Sequence, residues 1–163
     1  MYNFIVASLE NFDDFFKIKS EPSSIFWSGF DSYPNYSTFK EHYKNELSRN
    51  DRVIIFLYDD SEIAGYIAID YLEGVNAVET AHGVLSSFSG KGLGKKLINY
   101  AVEYSKKNLR DADQIIGWVA DDNIGSIKNL LANGYSKTDE FEYRDFKQEK
   151  NKVKFHKYIL NLK

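Results

Sequence analysis

The segment Val84-Leu85-Ser86-Ser87-Phe88-Ser89-Gly90-Lys91-Gly92-Leu93-Gly94-Lys95 decides the fold. Ahead of it Ala77 to Leu85 reads as a strand. Behind it Leu93, Leu97, Ala101 and Ser105 fall on one helical stripe, with Lys95, Lys96, Lys106 and Lys107 facing away. Its glycines therefore occupy a strand-to-helix turn, where free backbone N–H groups and the helix dipole favour an anion. A missing Cβ lets that anion come close to the backbone. The same turn also serves simply to close a tight bend, so spacing has to separate the readings. A Walker A loop requires glycine at position 89 and Ser or Thr after Lys95, and the chain has Ser89 and Lys96. A dinucleotide fingerprint started at Gly90 finds Gly92 but meets Lys95 where glycine or alanine is required.

Working outward, three strands run in sequence, Arg52 to Tyr58, Glu62 to Leu72 and Ala77 to Leu85, as an antiparallel meander turned at Asp59-Asp60-Ser61. That order is wrong for the start of a βαβ dinucleotide unit. Upstream, Tyr2 to Ala7 reads as a strand and Leu9 to Lys19 as a helix, with Leu9, Phe12, Phe16 and Lys19 at helical spacing. Pro22 ends that helix, and Ser23 to Ser37, broken by Gly29 and Pro34, reads as an aromatic loop. Ser37 caps a helix to about Ser48 with Phe39, Tyr43 and Leu47 along one stripe. Downstream, Gln114 to Val119 is an apolar run suited to a buried strand. A helix from Asn123 follows, carrying Ile124, Ile127, Leu130 and Leu131 and closed by Asn133-Gly134. Tyr135 to Phe146 and Val153 to Leu162 give the last two strands.

Composition narrows the function classes. With 163 residues, 43% hydrophobic and 28% charged, the chain suits one domain over residues 1–163 able to bury its own core. A net charge of -3 lacks the basic excess of a phosphate-backbone binder, so no nucleic acid partner is expected. Zero cysteines exclude a disulfide framework, a thiolate metal site and a cysteine nucleophile. No apolar run approaches the ~20 residues of a membrane span, and the N-terminus lacks a basic n-region, so no membrane association and a cytoplasmic location are expected. The 12 Tyr and 12 Phe suggest aromatic lining of the core or of pockets.

The glycine turn resembles the pyrophosphate loop of the GNAT N-acetyltransferases, Gln/Arg-x-x-Gly-x-Gly/Ala. Gly92 and Gly94 match, and Ser89 stands where Gln or Arg is usual. Val84 to Phe88 resembles the family's valine-containing strand end, with Ser86 where proline is common, and Asn123 with Gly134-Tyr135 resembles its Asn, helix, Gly-Phe signature. The order of strands and helices is similar along nearly the whole chain. The resemblance implies an α/β (α+β) GNAT fold, a mixed, mostly antiparallel sheet of about seven strands flanked by about four helices.

It also implies acetyl-CoA as co-substrate and no metal. Val84, Ser86, Ser89, Gly90, Lys91, Gly92, Leu93, Gly94, Lys95, Asn123 and Ser126 would hold the cofactor, and the Val84 N–H would polarise the thioester carbonyl. A primary amine with a pKa of about 10.4 arrives protonated, and His82 or Glu79 is the candidate base, against the bland alternatives of a hydrogen-bonded core histidine and a solvated glutamate. His82 shares strand parity with Val84, and Glu79 would need a bulge to do so. The family's acid tyrosine is replaced by Leu130, for which Tyr143 is a possible substitute or else a packed side chain. Acceptor contacts fall to Trp27, Phe30, Asp31 and Tyr143, with the Ser23 to Ser37 segment either a lid or a loop packed on the core. A small-molecule amine acceptor is the favoured reading. Acetylation of a protein N-terminus or lysine, and a catalytically silent CoA-binding module, are the alternatives. A monomer or homodimer is expected.

Overall fold

Strands β2 (Arg52–Asp59) and β3 (Glu62–Leu72) bury consecutive side chains, Ile54 to Tyr58 and Ile63 to Ile69, so the sheet they form is covered on both faces. The computed structural model describes residues 1–163. Its seven-stranded sheet also includes β1 (Tyr2–Val6), β4 (Ala77–Val84), β5 (Gln114–Ala120), β6 (Ser136–Arg144) and β7 (Val153–Asn161), in the order β1-β2-β3-β4-β5-β7-β6. Every neighbouring pair is antiparallel except β4 and β5, which are joined through helix α4 (Leu93–Asn108) and run parallel.

Successive residues of β3 show which helices cover which face. A Cβ built on Gly65 would meet Leu97 of α4, whereas Tyr66 lies edge-on to Phe15 of α1 (Phe12–Lys19). Helices α1, α2 (Pro22–Trp27) and α3 (Tyr36–Leu47) therefore share one face, and α4 with α5 (Ile124–Ala132) the other. Many of the aromatic residues pack between α1, α3 and the sheet, where Phe12 and Phe15 meet Tyr36, Phe39, Tyr43, Phe56 and Tyr66. On the opposite face α4 buries Leu93, Leu97, Ile98, Ala101 and Val102. The one buried polar residue there, Ser105, donates its hydroxyl to the Ala101 carbonyl at 2.7 Å.

The strands and the helices flanking the glycine turn lie within a few residues of their sequence-based positions, and the N-terminal third differs. Ser23 to Ser37 is not wholly a loop. Pro22 occupies the first turn of α2 instead of only ending α1, because a residue without an N–H costs nothing there. There are accordingly five α-helices rather than about four. Helix α3 is capped by Asn35, whose side chain accepts the Thr38 N–H at 3.0 Å, and not by Ser37. Leu9 is 54% exposed in a short 3-10 turn, so the buried stripe of α1 is Phe12, Phe15 and Ile18. No helix is long and apolar enough to cross a membrane.

Leu97 fills the space above Gly65 and is fully buried. Leu97→Ala is expected to cost about 2–5 kcal/mol, read as a lowered urea midpoint with an unchanged m-value.

Candidate active site

The site begins where the sheet comes apart. Parallel pairing of β4 with β5 runs from Ala77↔Gln114 to Thr80↔Gly117, yet β4 continues to Val84 and β5 to Ala120. Beyond that point each strand is held by its other neighbour, Val84 by Gly65 and Ala120 by Phe155. The Leu85 N–H donates to the Ala64 carbonyl at 2.8 Å, and the Asn76 carbonyl accepts from Asp113 of the β5 side at 2.7 Å. Alternation along an antiparallel pair then turns the N–H and C=O of His82 and Val84 toward the gap. The cleft running through it has a volume of about 930 Å³.

On the α4 face the gap meets the glycine turn. Gly90 and Gly92 have φ of 78° and 76°, and a Cβ on either would meet nothing within 4 Å. The first helical hydrogen bond is Lys96 N–H to Gly92 C=O at 3.2 Å, and the consecutive N–H groups from Gly90 to Lys95 have no protein acceptor. Those donors, backed by a helix of 16 residues, form an anion cradle. Gly94 differs from Gly92, because a Cβ there would collide with the Asn129 amide of α5. Asn123 caps α5 by accepting the Ser126 N–H at 3.4 Å, and both line the cleft. Lys95 borders a smaller adjoining hollow with Lys96 and Asn133.

The β3–β4 register is unbroken from Leu72↔Ala77 to Gly65↔Val84, so no bulge rotates Glu79 onto the side of His82. His82 points to the α4–α5 face beside Gly94, and packing around its ring pushes its pKa down to about 4, so the imidazole is neutral at neutral pH. Glu79 is half-buried on the opposite face, across from Asp70. Asp70 accepts two bonds from Arg52, at 2.5 and 2.6 Å, and Arg52 also pairs with Glu46 at 2.8 Å. Next along this face Tyr66 crosses Gly83, and the Lys19 ammonium donates to the Tyr66 hydroxyl at 3.2 Å. The far wall is Trp27, Trp118, Phe146 and Phe155, with the Arg144 guanidinium 4.0 Å from the Phe155 ring centre.

Of the residues singled out from sequence, Trp27, Glu79, His82, Val84, Ser89, Gly90, Gly92, Leu93, Gly94, Asn123 and Ser126 line one cleft. Lys91 lies over the Phe88 ring, outside the lining. Ser86 stands just past Val84, and Glu21 takes its N–H at 2.8 Å and its hydroxyl at 2.9 Å, tying the end of β4 to the start of α2. Tyr143 pairs with Lys154 and is 55% exposed on the outer face. Its neighbour Arg144 faces the cleft, so strand parity turns Tyr143 away from it. Phe30 and Asp31 are exposed and do not reach the lining. Gly29 bonds to Lys147 at 2.9 Å and pins the α2–α3 connection to the β6–β7 loop. Leu130 is buried against Gly117. Sequence reading overlooked Lys19, Tyr66, Asp70 and Arg144 as site residues, although a lysine ending the apolar stripe of α1 and an acid deep in β3 were visible signals.

A family model described as the acetyltransferase (GNAT) family matches residues 12–135. Among solved structures, the spermidine N-acetyltransferase of Vibrio cholerae in complex with CoA and spermine superposes with a TM-score of 0.87 at 14% identity, over 99% of this chain and 95% of that one. The yncA protein of Salmonella typhimurium with its cofactor acetyl-CoA gives 0.80 at 15% identity, over 99% and 94%. The ribosomal-protein-alanine N-acetyltransferase of Brucella melitensis gives 0.80 at 14%, over 98% and 99%. At these identities the structural likeness is one of fold.

A histidine whose folded pKa lies below its ordinary value of about 6.5 takes up its proton more readily when unfolded. The stability His82 contributes is therefore present above pH 6.5 and lost as pH falls toward 4. His82→Asn should show a smaller drop in urea midpoint between pH 7 and 4.5 than the parent chain.

Proposed function

The chain belongs to the GNAT acetyltransferase family, and from that premise we propose that it moves the acetyl group of acetyl-CoA to a primary amine of a small molecule by direct attack. The observation that carries this reading is the opening between β4 and β5, with an anion cradle on one face and a walled, mixed-charge pocket on the other. The residues fit the co-substrate. Left-handed backbone at Gly90 and Gly92 turns a row of N–H donors outward, suiting a pyrophosphate, and Asn123 and Ser126 lie along the same cleft. When bound, acetyl-CoA supplies an activated acyl group as its thioester.

The Val84 N–H, turned into the gap, would donate to the carbonyl of a bound thioester and stabilise the charge that builds on its oxygen. Glu79 shares the acceptor face and takes the proton of the ammonium. The strand rise separates it from Gly83 by about 13 Å, so that transfer requires a chain of several waters along the cleft rather than a single bridging one. His82, neutral and on the other face, orients the cofactor side. Leu130 offers no proton, and a thiol with a pKa near 8.5 leaves as thiolate with less help than an amine needs. A pocket bordered by α2 and the β6–β7 loop supports a small acceptor over a protein substrate, which would need a longer groove.

Two measurements test the reading. Asp tolerates left-handed backbone better than most residues, so Gly92→Asp should stay folded with a melting temperature only a few degrees lower, while its carboxylate occupies and repels from the cradle. Calorimetry should show acetyl-CoA affinity falling by more than tenfold, and unchanged affinity in the folded variant would exclude the cradle. Glu79→Gln should lower kcat/KM by on the order of 10²-fold and remove the acidic limb of the pH profile, whereas an intact limb removes Glu79 as base.

A further inference from the structure

We infer that the acceptor carries a carboxylate beside its amine, and that Lys19 and Tyr66 hold that carboxylate. This rests on the amine-acetylation reading above. Lys19 lines the cleft from the last turn of α1 and is half-buried. The two cleft arginines each have a carboxylate partner, Arg52 in Asp70 and Glu46, and Arg144 in Glu142 at 3.0 Å. Lys19 has none within 4.0 Å, and its one hydrogen bond goes to the Tyr66 hydroxyl. Glu21, two residues on, forms no ion pair with it within 4.0 Å, and its carboxylate is turned to Ser86, from which it accepts. A half-buried ammonium with no acid partner attracts an anion, and a phenol that already accepts from that ammonium has its own O–H left to donate.

Position makes the ligand an amino acid rather than a polyamine. Tyr66 lies directly over Gly83, one residue from the Val84 N–H that faces the gap, so Lys19 stands beside the place where an amine meets the thioester. An α-amino acid with its carboxylate on Lys19 would carry its amine one carbon away, toward the Val84 N–H, with Glu79 farther along the same face. A polyamine would bring a second cation toward Lys19. A purely structural role for Lys19 also exists, since its ammonium sits 5.3 Å from the Tyr66 ring centre and 6.0 Å from that of Phe15. That role predicts loss of stability and no change in acceptor preference.

The test measures thiol release from acetyl-CoA with matched acceptors, L-phenylalanine against phenethylamine and L-leucine against isopentylamine, together with spermidine and 2-aminoethylphosphonate. The amino acids should exceed their carboxylate-free partners by at least tenfold in kcat/KM. Lys19→Met, which keeps an apolar stem, should bring that ratio toward one through a raised acceptor KM while calorimetry finds acetyl-CoA affinity unchanged. Lys19→Arg should retain the preference and serves where the methionine variant fails to fold. Equal or better turnover of phenethylamine or spermidine overturns the inference and leaves acetyl transfer standing, as does an unaltered ratio in Lys19→Met. Preference for the phosphonate overturns the carboxylate in favour of a phosphorus oxyanion. Bound acetyl-CoA with no turnover of any amine overturns this inference and the proposed function together.

Discussion

Separation of β4 from β5 beyond Thr80 and Gly117 is the constraint on which the molecule is organised. A mid-sheet gap leaves backbone N–H and C=O groups without strand partners, which a fold tolerates only where something else satisfies them. It stays open because both strands are anchored on their outer edges, β4 to β3 and β5 to β7, so neither can swing in to close it. Insertion of β7 between β5 and β6 is what supplies the second anchor. From the α4–α5 side Leu130 presses on Gly117, and from the other side Glu21 clips the end of β4 to α2. Together these hold exposed peptide groups in a fixed direction before any ligand arrives, which is the condition for donors that stabilise developing charge without reorganising.

The glycines around this gap do different jobs, and the differences follow from what a Cβ would strike. At Gly90 and Gly92 the space beyond is open and only the left-handed backbone asks for glycine, so the requirement is to aim N–H groups outward. At Gly94 and Gly117 the backbone is ordinary and the obstacle is a side chain of α5, Asn129 in one case and Leu130 in the other. At Gly83 the obstacle is the Tyr66 ring on the opposite face. A pattern that looks like a single motif in sequence is thus a ligand cradle followed by a helix–helix contact.

This division shows what was legible in the sequence. Strand and helix order, the position of the cradle and the cap at Asn123 were readable because each depends on local signals, such as apolar period, glycine at a turn and a capping side chain. The nature of α2 was not, since Pro22 is compatible with stopping one helix and with starting the next. Nor was the far wall of the cleft, which is built by register between distant strands. Arg144 faces the cleft and Tyr143 does not, and nothing near either residue announces which parity β6 adopts. Lys19 was visible only as the charged end of an apolar stripe, and its meaning appears when its ammonium is found bonded to Tyr66 with no acid within 4.0 Å.

The two faces of the sheet also differ in how charge is handled. On the α4 face positive potential comes from peptide dipoles, which cannot be titrated away, together with Lys128 in the cleft and Lys95 and Lys96 beside it, and the nearby His82 is kept neutral by its surroundings. On the other face charge comes from side chains, and most of it is cancelled internally, Arg52 bridging Asp70 and Glu46 while Arg49 joins Glu46 to Asp51. What remains after that cancellation is an uncompensated carboxylate at Glu79 and an uncompensated ammonium at Lys19, separated along one wall of the cleft. Such a wall is a dipole rather than a net charge. On the proposed reading it would favour an acceptor with charges of both signs over one that is cationic throughout, because attraction at one end is then offset by repulsion at the other.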